Sequence, residues 1–380
     1  ILKNKLKSLK PLALVGEHVD LETGYAINKF MSNFGKDNVE CRTDNQAILE
    51  NLDSYRFNTP LNEIENSDLI ILLGTNPKIE TPIINHKIFK AYNNNSRIFN
   101  IGENISLNYQ TEYLGDKISN LNNEKLIKAL KKSSNPLIII GSAFLSKIKN
   151  IKTLKSIFSF ADKYNVITKD KNNLNFLNPY ASRVGQLILG NTTKNLCEPF
   201  SKLKKEKFEI VLSFGSEHIA SEQFDNCFRV YFGHHGDEGA MKSDIILPTP
   251  LYTEKNGIFV NIEGRPQEAK KCHNPIGSAK EEWSIIKKLS DEFSFVFEPN
   301  TFEQLRSELL KKYTKLSIFH EILSNDNASP IITDIEFEDC KTQYPINNFY
   351  MSDIISKNSV TMAKCVEEIA STPSLLEKSA

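Results

Sequence analysis

The residue types in this chain that could do chemistry are scattered. Gly74-Thr75-Asn76-Pro77 directly follows an apolar run, where glycine permits a tight turn and asparagine tolerates unusual backbone angles. Such a loop at the carboxyl edge of a parallel sheet meets ligands, so Gly74, Thr75 and Asn76 are candidates for a cofactor cleft. The plainer reading is that any strand-to-helix loop favours these residues. Glu254-Lys255 places a carboxylate and an ammonium on a second loop, and an ion pair between them or with Arg265 is expected rather than catalysis. His234, His235 and Asp237 follow a third apolar run. A metal would need further ligands there, with His218 one that could approach, so hydrogen bonds within a tight loop are expected instead. Cys272-His273 makes a poor chelate, because neighbours on an extended segment face opposite ways. Cys41 has no evident His/Asn arrangement and Ser106 no G-x-S-x-G context. No G-x-G-x-x-G follows a strand, and no G-x-x-x-x-G-K-[ST] occurs.

Composition narrows the class. The chain has 380 residues, enough for two or three cores, with 40% apolar and 25% charged residues. Basic and acidic residues balance at 47 each, which removes the electrostatic case for nucleic acid or an anionic membrane surface. The Lys-rich runs Ile1 to Lys10 and Ser201 to Lys207 read as solvated helix faces. No apolar run approaches the roughly 20 residues a membrane-crossing helix needs, so no direct membrane insertion is expected. The six cysteines (Cys41, Cys197, Cys227, Cys272, Cys340 and Cys365) are far apart and form no C-x-x-C pair. They read as separate reduced thiols, and a zinc or iron–sulfur site would need them clustered.

The elements that must position these loops alternate strand and helix. Pro11 to Val19 reads as a strand and turn, Glu22 to Phe34 as an amphipathic helix, and Ser67 to Gly74 as a strand covered on both faces. Pro82 to Tyr92 reads as a helix and Arg97 to Gly102 as a strand. The rhythm then repeats, with strands at Leu137 to Gly141, Phe208 to Gly215, Phe228 to Phe232 and Ile245 to Leu247, and a helix at Lys152 to Tyr164. The fold class is α/β: two doubly wound lobes, 1–135 and 136–300, joined near Lys131 to Pro136, with a mainly helical extension over 301–380. Helices are expected at Glu281 to Phe293 and Phe302 to Tyr313, and a loop at Ser324 to Pro330.

The stretch Ser243 to Gln267, SDIILPTPLYTEKNGIFVNIEGRPQ, reads as a buried strand, a Pro-broken loop and a charged turn before a second strand. It resembles the signature segment of molybdopterin oxidoreductases. With Asp68 to Thr81 (DLIILLGTNPKIET), Tyr113-Leu114-Gly115, Tyr231 to Ala240 (YFGHHGDEGA) and Phe349 to Val366 (FYMSDIISKNSVTMAKCV), the resemblance sharpens. The chain is similar to the C-terminal, molybdopterin-oxidoreductase-like part of the large iron–sulfur subunit of respiratory complex I, and the MAKC piece favours the mitochondrial version.

This resemblance implies a scaffold in the peripheral arm on the matrix side of the mitochondrial inner membrane, with no catalytic residue, no metal and no cofactor in this chain. Gly74, Thr75, Asn76, Glu254 and Lys255 would then be remnants of a cleft, and Gly257, Asn261, Gly264 and Arg265 would keep an inherited loop folded. Iron–sulfur clusters are expected in a partner chain carrying the N-terminal half of the subunit, by a split gene rather than a fragment. A lobe lacking its first elements is expected to leave apolar surface that another polypeptide covers, burying more than roughly 2,000 Å². The runner-up is a working molybdopterin module completed by another chain, with pterin phosphates near Gly74 to Asn76 and Glu254 to Asn256. An independent NAD-binding enzyme is disfavoured by the missing dinucleotide fingerprint.

Overall fold

The computed structural model describes residues 10–35, 38–148, 150–193, 208–324, 334–340, 342 and 348–371. The Lys-rich runs at 1–9 and 201–207, Cys197 and the loop at 325–330 lie outside the described residues. The strands are β1 (Pro11–Val15), β2 (Val39–Glu40), β3 (Leu69–Leu73), β4 (Arg97–Ile101), β5 (Glu112–Gly115), β6 (Pro136–Ile140), β7 (Leu174–Phe176), β8 (Ile210–Phe214), β9 (Phe228–Gly233), β10 (Ile245–Pro248), β11 (Gly257–Val260) and β12 (Pro266–Ala269). The longer helices are α1 (Leu21–Met31), α2 (Pro82–Asn93), α3 (Ile151–Lys163), α4 (Glu282–Phe293), α5 (Phe302–Lys312) and α6 (Val360–Ser371).

The chain forms two compact units, each interleaved in sequence. Among the described residues, unit 1 takes those within 1–44 and 180–324, and unit 2 those within 45–179 and 325–380. The expected boundary at 135/136 therefore does not separate two lobes. It passes through one sheet, because β6 pairs in parallel with β3. Likewise β1 belongs with β8, with Ala13 opposite Leu212. The physical reason is that a parallel sheet needs crossovers, so strands far apart in sequence become neighbours. The expected extension over 301–380 also divides. Helix α5 buries Leu305 and Leu309 in unit 1. Segment 334–340 lies in unit 2, where the Glu336 amide donates to Ser156 Oγ at 3.1 Å.

Unit 2 holds a parallel sheet in the order β5-β4-β3-β6-β7. Its central strands LIILL and PLIII are buried at every position, as the unbroken apolar runs require. Helix α3 covers the sheet with Leu154, Ile157, Phe160 and Ala161, and Asn150 caps its amino end at Lys152 and Thr153. Unit 1 holds a second parallel sheet, ordered β10-β9-β8-β1-β2, and an antiparallel hairpin of β11 and β12. One expectation fails here. Strand β10 is an edge strand with Ile246 54% exposed, and it is not buried as its apolar sequence suggests.

Both sheets reverse their winding at one place. Unit 1 runs outward from β1 to β2 and, the other way, from β8 through β9 to β10. Unit 2 runs from β3 through β4 to β5 and, the other way, from β6 to β7. The gap between β1 and β8, and that between β3 and β6, are thus the switch points where open α/β sheets bind ligands.

Candidate functional site

Gly74, Thr75 and Asn76 sit at the switch point of unit 2. Gly74 has φ +61°, a left-handed turn that lets the chain leave β3 sharply. The facing loop after β6 begins at Gly141, where a Cβ would lie 2.4 Å from the Gly74 carbonyl oxygen. A Cβ on Gly74 would come 2.5 Å from Cβ of Phe144. The two loops therefore touch, leaving no room for a ligand between their bases. Beyond Asn76 a short helix, Pro77–Glu80, turns the Glu80 carboxyl back onto this edge. Its Oε1 accepts from the Ser142 amide at 2.8 Å and its Oε2 from the Thr75 hydroxyl at 2.7 Å. Burial pushes this carboxyl above the usual range, against those hydrogen bonds.

Glu254 and Lys255 lie in unit 1, whereas Gly74, Thr75 and Asn76 lie in unit 2. Lys255 is 4% exposed and pairs with carboxylates other than Glu254, and Arg265 pairs with Glu263 rather than Glu254. Its Nζ lies 2.7 Å from Asp20 Oδ2 and 2.8 Å from Glu282 Oε2. Asp20 also caps α1, accepting from the Thr23 amide at 2.8 Å. Gly257 is required beside it, because a Cβ there would lie 2.6 Å from Cβ of Asp20. Burial disfavours the ammonium, but the two carboxylates outweigh it and hold Lys255 above its ordinary range. Glu282 is raised, chiefly by burial, with Asp20 adding and Lys255 opposing. Glu254 accepts from the Leu251 amide at 2.9 Å and pins its own loop. Arg265 is drawn to Glu263 at 3.6 Å and donates to the His320 carbonyl.

A second buried carboxylate stands beside the first pair. Glu22 accepts from the Ile258 amide at 2.9 Å and from Arg306 Nε at 2.6 Å. Burial first, then Asp20, raises its pKa to about 7, with Arg306 opposing. Arg306 reaches on to Glu268 at 2.5 Å. Asp20, Glu22, Lys255, Glu282 and Arg306 thus tie α1, the loop before β11, α4 and α5 into one ionic core.

The remaining sequence candidates are structural. Asp237 caps a short helix through the Ala240 amide at 2.7 Å and accepts from Tyr231 Oη at 2.8 Å. His234 and His235 face each other through their Nδ1 atoms at 2.6 Å. Burial, then His235, lowers His234 to about 4, so it is neutral near pH 7. The described cysteines are free thiols; Cys41 is buried and its pKa is pushed up by burial to about 12. No group of three or more His, Cys, Asp or Glu among the described residues is placed to hold a metal. No helix among them is long and apolar enough to cross a membrane.

Sequence reasoning missed Asp20, Glu22, Glu80, Glu282 and Arg306. Only Asp20 carries a local signal, an aspartate directly ahead of an amphipathic helix with threonine at its third position. An anionic pterin phosphate fits neither site. At Gly74 to Asn76 it would meet the Glu80 carboxyl, and at Glu254 to Asn256 the nearby ammonium is buried and already bound to two carboxylates.

Two doubly wound parallel sheets, each with one switch point, make up the fold. The chain belongs to the molybdopterin oxidoreductase family, whose model matches residues 1–292. A second family model, that of the C-terminal region of the G-type large subunit of NADH-ubiquinone oxidoreductase, matches residues 323–365. The chain is 33% identical over 380 residues to the G-type subunit of the NADH-quinone oxidoreductase of Rickettsia bellii, covering 96% of this chain and 54% of that protein. It is 34% identical over 399 residues to the NADH-ubiquinone oxidoreductase 75 kDa subunit of Reclinomonas americana, covering 96% and 56%. It is 32% identical over 379 residues to the mitochondrial 78 kDa subunit of Candida albicans, covering 93% and 51%. The chain spans about half the length of the curated relatives it matches. Identities to bacterial and eukaryotic relatives are alike, so they do not repeat the preference for the mitochondrial version drawn from MAKC. In fold it is similar to a chain of the formyltransferase/hydrolase complex of Methylorubrum extorquens, with TM-score 0.54, 11% identity and coverage of 82% of this chain and 95% of that one.

Proposed function

We propose that this chain is the molybdopterin-oxidoreductase-like part of the large subunit of mitochondrial complex I. In this reading it serves as a scaffold in the peripheral arm, on the matrix side of the inner membrane. Its partners are the cluster-bearing part of the same subunit and the neighbouring peripheral-arm subunits. Electrons from NADH to ubiquinone pass through iron–sulfur clusters held by that partner part, and this chain holds no cofactor of its own. The observation that carries the reading is the succession of two matches along one chain. The oxidoreductase family covers 1–292, and the C-terminal region of the large NADH-ubiquinone oxidoreductase subunit covers 323–365. The misfit between both cleft remnants and an anionic pterin supports the scaffold role.

The test is metal analysis of the chain expressed alone and of the native assembly containing it. The reading expects neither iron nor molybdenum at stoichiometric level in the isolated chain, and iron without molybdenum in the assembly. Stoichiometric molybdenum in the assembly would favour a working pterin module, and stoichiometric iron in the isolated chain would place clusters where this reading does not. The mass of the subunit in the assembly shows whether the cluster-bearing part shares its polypeptide.

A further inference from the structure

The Glu80 carboxyl closes on the switch point of unit 2. Its two oxygens take hydrogen-bond donors from both sides of that point: the Thr75 hydroxyl after β3 and the Ser142 amide after β6. Both donors belong to buried residues, Thr75 4% and Ser142 7% exposed. The Ser142 hydroxyl also favours this carboxyl, so Glu80 draws on a cluster of donors shut off from solvent. Without the carboxyl these donors would be buried and unpaired, which is costly and rare in native folds. They converge at the switch point, the place where open α/β sheets bind ligands.

We propose that Glu80 is a built-in anion: its carboxylate occupies a site formed by Thr75 and Ser142 that otherwise accepts a small carboxylate or oxyanion, so the chain closes its own ligand site. Pro77 and the one-turn helix it starts deliver the carboxyl from the same side as β3, without a separate element. The proposal is independent of membership in any respiratory assembly, since it concerns only atoms of unit 2.

Chemical rescue in the full chain tests it. Glu80→Ala removes the carboxylate and leaves its donors, whereas Glu80→Gln keeps the volume and an acceptor oxygen. Hydrogen exchange of the segment 136–145 is followed by mass spectrometry during titration with sodium acetate, against sodium chloride at matched ionic strength. Glu80→Ala should lose protection there and regain it with acetate beyond the chloride control, by about tenfold when acetate is about ten times its dissociation constant. Wild type and Glu80→Gln should respond to acetate no more than to chloride. A folded Glu80→Ala variant indifferent to acetate, or a wild-type chain that responds as strongly, overturns the proposal. If Glu80→Ala folds only in acetate, that supports it directly. If it folds in neither salt, the titration is made on Glu80→Thr and judged by the same two outcomes.

Discussion

Replacing Lys255 by methionine should damage unit 1 more than any surface charge could. Methionine keeps the length and most of the volume, but leaves Asp20 and Glu282 facing each other with side chains 2% and 9% exposed. At an effective dielectric of about 20, each contact at 2.7 to 2.8 Å is worth about 6 kcal/mol of Coulomb attraction, most of which offsets desolvation. The net loss has a ceiling, because a stranded carboxyl can take up a proton. Protonating a glutamate with an ordinary pKa of 4.5 at pH 7 costs about 3.4 kcal/mol. One protonation relieves most of the repulsion, so the expected loss is about 3–5 kcal/mol at pH 7. It should shrink by about 1.4 kcal/mol for each pH unit down to about pH 5, as the proton becomes easier to supply. The only tryptophan, Trp283, adjoins Glu282 in unit 1, so urea unfolding followed by its fluorescence reads the right unit. A loss under about 1 kcal/mol, or one that stays the same between pH 7 and pH 5, would refute the view of this cluster as a paired buried core.

Further outcomes follow from the same geometry. Glu22 binds a proton more tightly folded, at about 7, than at its ordinary 4.5, so its contribution to stability grows as pH falls from 7 to 4.5, by at most about 3 kcal/mol. Glu40, held low by Arg42 and Thr193 against burial, stays ionised in that window and gives up its stabilisation only at lower pH. His234, held low in the fold, loses stability over the same range, so the readout is the difference: from pH 7 to pH 5 the wild-type urea midpoint should gain on that of Glu22→Gln, and equal slopes would contradict the assignment. Gly74→Ala combines a left-handed backbone with a contact 2.5 Å from Phe144 Cβ and should cost well over 1 kcal/mol by denaturation. Lys128→Ala breaks an exposed pair with Glu124 at 3.7 Å and should cost under about 0.5 kcal/mol; a larger loss would show that exposed pairs matter more here than their solvation allows.

What the sequence made legible was whatever depends on neighbours along the chain. The runs LIILL, PLIII and IVLSF form strands buried at every position, and each of DLIILLG and EIVLSFG ends at a glycine of positive φ, Gly74 and Gly215. The turn chemistry at Asp237 was readable for the same reason. Whatever joins distant segments was hidden. An ion pair at Lys255 was foreseeable from the residue type, but its partners come from before α1 and from α4, and nothing local points to them. Glu80 meets Ser142 across 62 positions. The domain boundaries failed similarly: β1 crosses to β8 and β3 to β6, so blocks that look consecutive in sequence are interleaved in space. Edge strand β10 misled because its apolar sequence reads the same whether or not a neighbour covers it.

The central claim, that this chain braces a respiratory assembly without chemistry of its own, is tested most directly by purifying it under native conditions from the cells that make it. The account predicts a large complex that oxidises NADH with a quinone acceptor, containing iron and no molybdenum, with this chain present once per complex. Recovery of the chain free of any NADH-oxidising assembly, or with stoichiometric molybdenum, would contradict it.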